Sequence, residues 1–169
     1  ADVIIHFLEL VYANLEHERE QDNDMPAPIT QNAYEHSTRW QNNNYDPVTD
    51  GFVRDDTPQN DIREIFRKGW TASEKGANIT FEVEGSCLAV QYRKSVVQPA
   101  PIAKAIVDGD EEHAMILDGN FEETWGDSLH LDTLAEHLPY GKHTVRIELI
   151  ETHEDDKVPF YLVSVIASH

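Results

Sequence analysis

Residues 125–131 read WGDSLHL, and within them Ser128 follows Gly126 and Asp127. A serine hydroxyl becomes a nucleophile only where a base takes its proton and hydrogen-bond donors stabilise the oxyanion that forms. The residues before it, Phe121-Glu122-Glu123-Thr124, carry two adjacent glutamates and do not make a buried strand that would lift a serine into a site. The Asp-x-x-His from Asp110 to His113 precedes Ser128 rather than following it. Triads occur in several chain orders, so order alone excludes nothing. Here order and strand context fail together, and no catalytic residue is assigned. Asp127 and Ser128 read instead as turn residues whose side chains bond nearby backbone amides. A free-standing esterase using Ser128 remains the alternative.

Nine histidines among thirty-two carboxylates invite a metal. The nearest sets are His130 with His137, and His153 beside Glu154, Asp155 and Asp156. Neither forms a His-Glu-x-x-His pair or a calcium-binding loop. No metal and no cofactor is assigned. The segment Glu154-Asp155-Asp156-Lys157 reads as a solvated hairpin turn, and Asp108-Gly109-Asp110 and Asp118-Gly119-Asn120 read as hairpin chemistry.

Three tryptophans and six tyrosines offer a different chemistry. A flat aromatic face matches the apolar face of a pyranose ring, and Trp40, Trp70 and Trp125 all stand in polar or turn-rich contexts. Trp125, Trp70, His130 and His143 are the candidate ligand-binding residues. The simpler reading stands beside each: the tryptophans cap a core, and His143 in GKHTV begins a strand and bonds locally.

These residues must be positioned by a chain of 169 residues with a net charge of −19. That length can bury roughly 70% of the unfolded surface. The charge opposes a phosphate backbone or an anionic lipid surface, so neither nucleic acid nor membrane is an expected partner. No run of 18 apolar residues exists, and the apolar start lacks the basic leader of a signal peptide. A single cysteine, Cys87, excludes an internal disulfide and a cysteine zinc site. In the apolar run CLAVQY it reads as a small buried side chain.

The first segment, DVIIHFLELVYANLE, has helical period, with Val3, Phe7 and Val11 beside Ile4, Leu8 and Leu15. Its apolar stripe either docks on this chain's own core or belongs to something longer. A polar, acidic stretch closed by Pro26 and Pro28 follows as a linker. The expected division is therefore 1–30, helix and linker, and 31–169, a β-rich domain. Glu35–Gln41 is a candidate strand. Asp61–Arg67 is a short helix or strand with Ile62, Ile65 and Phe66 inward.

From Gly69 onward the period becomes two. NITFEVEG alternates Ile79, Phe81 and Val83 with polar residues, and CLAVQY follows closely enough for a hairpin. PIAKAIV and AMIL are strands. LDTLAEHLPYG suggests one or two helical turns. HTVRIELIE alternates cleanly, and PFYLVSVIA is apolar enough for a central strand buried on both faces. Short strands at even spacing with turns between them predict a mainly β sandwich, and a jelly roll is one arrangement that limits exposed edges.

The succession GWTASEKGANITFEVEG, IVDG, LPYGKHTVRIELIE and FYLVSVI, over residues 69–167, resembles the jelly-roll accessory domain found beside some SGNH/GDSL hydrolases. IIHFLELVYANLE is similar to the last helix of such a hydrolase domain, and MPAPITQNAYEHS to the connector that follows it. The resemblance implies a jelly-roll-like, galactose-binding-like β-sandwich with an N-terminal α-helix. It implies an upstream SGNH hydrolase domain as partner and a carbohydrate ligand, or else a role in shaping the catalytic domain's substrate site. The family's GDSL serine stands near the start of its domain, with glycine and asparagine oxyanion donors and a late Asp-x-x-His. About forty residues follow Ser128 here and no Gly-x-Asn-Asp occurs, so no catalytic residue carries over.

Overall fold

The computed structural model describes residues 2–14, 32, 34–123 and 125–169. The chain divides into two compact units, 1–31 and 32–169. In the first, Asp2–Asn14 forms helix α1, as its period predicts. The acidic linker and most of the connector-like segment lie outside the described residues.

The second unit is a sandwich of two antiparallel sheets. Its strands are β1 (Thr38–Trp40), β2 (Val48–Asp50), β3 (Val53–Asp55), β4 (Gly69–Ala72), β5 (Asn78–Gly85) and β6 (Cys87–Lys94). They continue as β7 (Ile102–Val107), β8 (Met115–Asp118), β9 (Ser128–Ala135), β10 (Gly141–Glu151) and β11 (Phe160–Ser168). One sheet runs β3-β4-β11-β6-β9, with β1 also paired to β11, and the other runs β2-β5-β10-β7-β8. The mainly β, jelly-roll-like architecture is the one expected.

Period-two alternation explains the core. Ile79, Phe81 and Val83 of β5 and Val145, Ile147 and Leu149 of β10 point inward from one sheet. Leu88, Val90 and Tyr92 of β6 meet them from the other, with Leu162 and Val165 of β11. Each such side chain stabilises the fold by about 1.5–3 kcal/mol when fully buried. β11 is central and buried on both faces, because Tyr161 and Val163 on its outer side are covered together with Phe66. Phe66 ends a short 3-10 helix, Asp61–Phe66. Of the three residues expected inward there, Phe66 is buried, whereas Ile62 and Ile65 are exposed.

Four local expectations give way to the sandwich. β5 and β6 are not a hairpin: they belong to different sheets, and Ser86 N–H instead donates to Ser168 O at 2.8 Å. The chain crosses between sheets at Gly85, where a Cβ would lie 2.9 Å from Ser168 O. The 152–159 segment likewise joins β10 to β11 across the two sheets rather than turning a hairpin. So does the segment after Asp118-Gly119-Asn120, which leads from β8 to β9. LDTLAEHLPYG is not helical; its first half completes β9, which pairs with β6 from Lys94↔Ser128 to Leu88↔Ala135 with one register shift between Leu88 and Ala89. The leucine spacing there suits a helix, but an open sheet edge with unpaired backbone groups outweighs local propensity. By contrast, β7 and β8 do form a hairpin, entered through Asp108 and Gly109 at φ 51° and 78°.

Candidate functional site

At one end of the sandwich, the segment between β8 and β9 is pinned to the segment between β6 and β7. Asn120 spans both: Ala100 N–H donates to its Oδ1 at 2.9 Å, and its Nδ2 donates to Ala100 O at 3.0 Å. Ser95 N–H donates to Gly119 O at 2.7 Å, and Phe121 N–H to Ser95 O at 3.0 Å. Gly119 must be small there, since a Cβ would lie 2.6 Å from Pro101 O. Gln98 Nε2 adds a bond to Phe121 O at 2.7 Å.

The aspartate beside the questioned serine completes this brace. Asp127 Oδ1 accepts from Ser95 Oγ at 2.9 Å and from Val96 N–H at 3.1 Å. Its Oδ2 lies 3.9 Å from Arg93 Nε, whose guanidinium sits over the Tyr161 ring and donates to Pro159 O. Burial lowers the Arg93 pKa, and the Asp127 charge opposes that shift. Asp127 is therefore a structural anchor. Ser128 opens β9 opposite Lys94, and among the described residues no histidine bonds its hydroxyl. Asp127 does bond a backbone amide, that of Val96, 31 residues earlier in the chain, whereas Ser128 begins a strand rather than shaping a turn.

On the braced segment stands Trp125. It is 73% exposed and meets Phe121 edge to face, with ring centroids 6.0 Å apart. An open indole face on a segment fixed at several points is a preorganised stacking surface, because little freedom remains to be lost on binding. His130 lies at the same end of β9, half-exposed, 3.4 Å from Asp132 and edge-on to Tyr92 at 5.4 Å. Tyr92 OH donates to Asp132 Oδ2 at 3.0 Å; burial first, then that carboxylate, raise the phenol's pKa. A cleft of about 490 Å3 opens at this end, lined by Glu74, His153, Glu154 and Asp156 among others. His153 is occupied within it by Asp156 and Glu151.

The other sequence candidates part company. Trp70 is a correction: at 3% exposure it sits edge-on to Phe81, with centroids 5.2 Å apart, inside the main core. No ligand can reach its face. Inward register opposite Leu162 of β11 placed it there, in spite of its polar neighbours in sequence. His143 lies at the far end, near the start of β10. Its Nε2 donates to Pro139 O at 2.9 Å and its Nδ1 meets Asp108 Oδ2 at 2.7 Å, so both nitrogens are taken locally. A carbonyl only accepts, so Nε2 must carry a proton; a second proton on Nδ1 then satisfies the carboxylate. The Asp108 bond accordingly raises the His143 pKa. Burial pushes Asp108 up, yet the bonds from His143 and Thr144 hold its carboxyl below the usual range. His130 and His137 stand at opposite ends of β9 and do not meet. Among the described residues, no three metal-ligating side chains converge.

Sequence reasoning missed the Asn120 brace and Phe121. The Asp-Gly-Asn signal was visible, but its bridging partner Ala100 is set only by the fold.

Neither the known protein-family profiles nor the curated proteins give a match to this chain. Solved structures do. The chain is 55% identical over 99% of its length to a two-domain esterase active on acetylated mannans, co-crystallised with mannopentaose, with a TM-score of 0.82. A second structure of a two-domain esterase active on acetylated mannans gives 54% identity, the same coverage and a TM-score of 0.84. The chain spans less than half the length of these esterases, 44% and 45%. A Podospora anserina β-(1,4)-mannanase carrying a carbohydrate-binding module shares the fold alone, at 13% identity, over 79% of this chain and 28% of its own, with a TM-score of 0.51. The chain is therefore related to the non-catalytic, accessory part of a two-domain esterase, and its jelly-roll-like sandwich is an accessory domain rather than a catalytic one.

Proposed function

We propose that this chain is the carbohydrate-binding accessory module of an esterase acting on acetylated mannan or a similar acylated glycan. Trp125 carries the reading. It is an exposed aromatic face on a braced loop, in a molecule whose charge of −19 disfavours anionic ligands. The sugar's apolar face would stack on the indole, and nearby amide and carboxylate groups would take its hydroxyls. The resemblance to an esterase that acts on acetylated mannans supports the ligand class. An SGNH-type hydrolase domain upstream, supplying the nucleophile this chain lacks, is the partner we infer.

Titration with mannopentaose, followed by tryptophan fluorescence, tests the ligand. Saturable quenching that Trp125→Ala abolishes is expected; a silent titration across acetylated and plain mannan oligosaccharides overturns the assignment. The partner is tested in the genomic sequence upstream of Ala1, which should encode an in-frame Gly-Asp-Ser and, just before the helix, an Asp-x-x-His.

A further inference from the structure

The end of the sandwich opposite Trp125 also displays aromatic rings. Four separate segments meet there. Ser86 N–H donates to Ser168 O at 2.8 Å, Leu138 N–H to Ser86 O at 2.9 Å, and His36 N–H to His169 O at 3.4 Å. Tyr34 OH donates to Glu136 Oε1 at 2.5 Å, tying the chain before β1 to the loop after β9. That loop is itself held by His143 through Pro139 O, and His137 within it takes a positive φ of 60°.

On this surface His36, His169 and Tyr140 form a row, with ring centroids 5.1 Å and 4.8 Å apart. Tyr140 is 59% exposed and Tyr34, 55%. The Tyr34 hydroxyl donates to Glu136, and the neighbouring Glu84 raises the Tyr140 phenol pKa. The Glu136 bond raises the Tyr34 pKa to about 12 and fixes where that ring points, while Tyr140 is placed by its contact with the His169 ring. Neither of the two core clusters includes these rings.

From this geometry we infer a second glycan-stacking surface, formed by Tyr34, His36, Tyr140 and His169 at the end of the sandwich opposite Trp125. The accompanying groups select the ligand class. Stacking platforms for nucleobases sit in positive grooves that track a phosphate backbone. Here the rings are framed by Glu84 and Glu136, in a strongly acidic protein. Aromatic faces beside hydrogen-bond acceptors suit a neutral, hydroxyl-rich ring: the face stacks, and the carboxylates accept from the hydroxyls. The two surfaces are separated by the length of β9, eight residues or about 26 Å at about 3.3 Å per residue. They would engage two stretches of one polysaccharide or two separate chains, and tethering through one polymer would raise avidity.

The inference rests on the carbohydrate reading, and one experiment separates the two. In amide-resolved NMR titrations of the full 169-residue chain with mannopentaose, resonances of residues 34–36 and 137–140 should shift together with those around Trp125. Tyr140→Ala should weaken the first response about tenfold or more and leave the second unchanged; Trp125→Ala should do the reverse. Tyr140→Phe keeps the ring and should keep most of the binding, which guards against a variant that merely fails to fold. Shifts confined to the Trp125 end, or an unchanged response in Tyr140→Ala, overturn the second surface and leave the carbohydrate reading standing. Shifts at neither end overturn both.

Discussion

The two ends of the sandwich expose aromatic rings by different means. At one, a single tryptophan stands on a segment braced by the carboxylate of Asp127 and the amide of Asn120. Both braces act mostly on backbone groups, so the loop is fixed and the ring itself is left open. At the other, a carboxylate grips a ring hydroxyl directly, Glu136 on Tyr34, and Tyr140 and His36 lie against His169. There the rings are held and the backbone is secured by crossings between four segments. The first end therefore depends on two half-buried side chains. The second spreads its order over many weaker, exposed contacts, and His143 holds its loop through Pro139 O.

The largest expected effect removes what both ends share. Trp70→Ala should cost about 3–5 kcal/mol, the range for a large aromatic taken from a core, seen as a fall in the thermal midpoint and loss of binding at both ends alike. A variant that lost only one end would mean that the ends do not rest on a common core. Next, Trp125→Ala should weaken mannopentaose binding by about 2 kcal/mol, as truncation of a central aromatic anchor does, with the midpoint unmoved. Titration calorimetry against unfolding scans makes the distinction.

Asp127→Ala should be intermediate. It orphans Ser95 and Val96 N–H and leaves the mostly buried Arg93 without its carboxylate, which should cost about 1–3 kcal/mol. Binding at Trp125 should weaken through lost preorganisation, while the tyrosine end keeps its NMR shifts. Equal loss at both ends would break the comparison. Ser128→Ala, one residue on, should stay within about 0.5 kcal/mol in stability, as surface substitutions usually do, and should change no ester hydrolysis. Activity that vanished with it would restore the nucleophile.

A smaller effect separates the ends by pH. The folded pKa of His143 is raised above its ordinary value near 6.5 by Asp108. A raised histidine contributes stability that is fully present below the unfolded pKa and lost as pH rises through the folded one. Warming the protein at pH 6 and at pH 9 should show a lower midpoint at the higher pH, and His143→Ala should reduce that difference, leaving the share of His153, whose pKa Asp156 also raises. Hydrogen-exchange protection factors, corrected for the intrinsic rate, should fall at residues 137–140 at high pH, while those near Ser95 and Asn120 should not.

Much of this was legible along the chain. Ile79, Phe81 and Val83, and Val145, Ile147 and Leu149, announced their strands by alternation, and PFYLVSVIA announced a doubly buried one. The demotion of Ser128 and the local engagement of His143 also followed from sequence. Pairing did not. Gly85-Ser86 looked like a tight hairpin because a short polar pair usually is one; in a sandwich the same two residues carry the chain from one sheet to the other. Trp70 and Trp125 had equally polar neighbours, so nothing local could say that one would be sealed against Phe81 and the other left open.

The sequence by itself determined the class of fold and the inward faces of its strands. Those depend on period and neighbours, which a linear reading contains. Only the tertiary structure decided which rings face solvent and which distant residues hold them. Tyr34 and Glu136 are 102 residues apart, and Asp127 reaches Ser95 across 32. Such contacts form because two sheets pack face to face and bring their ends into register, and no local pattern encodes that.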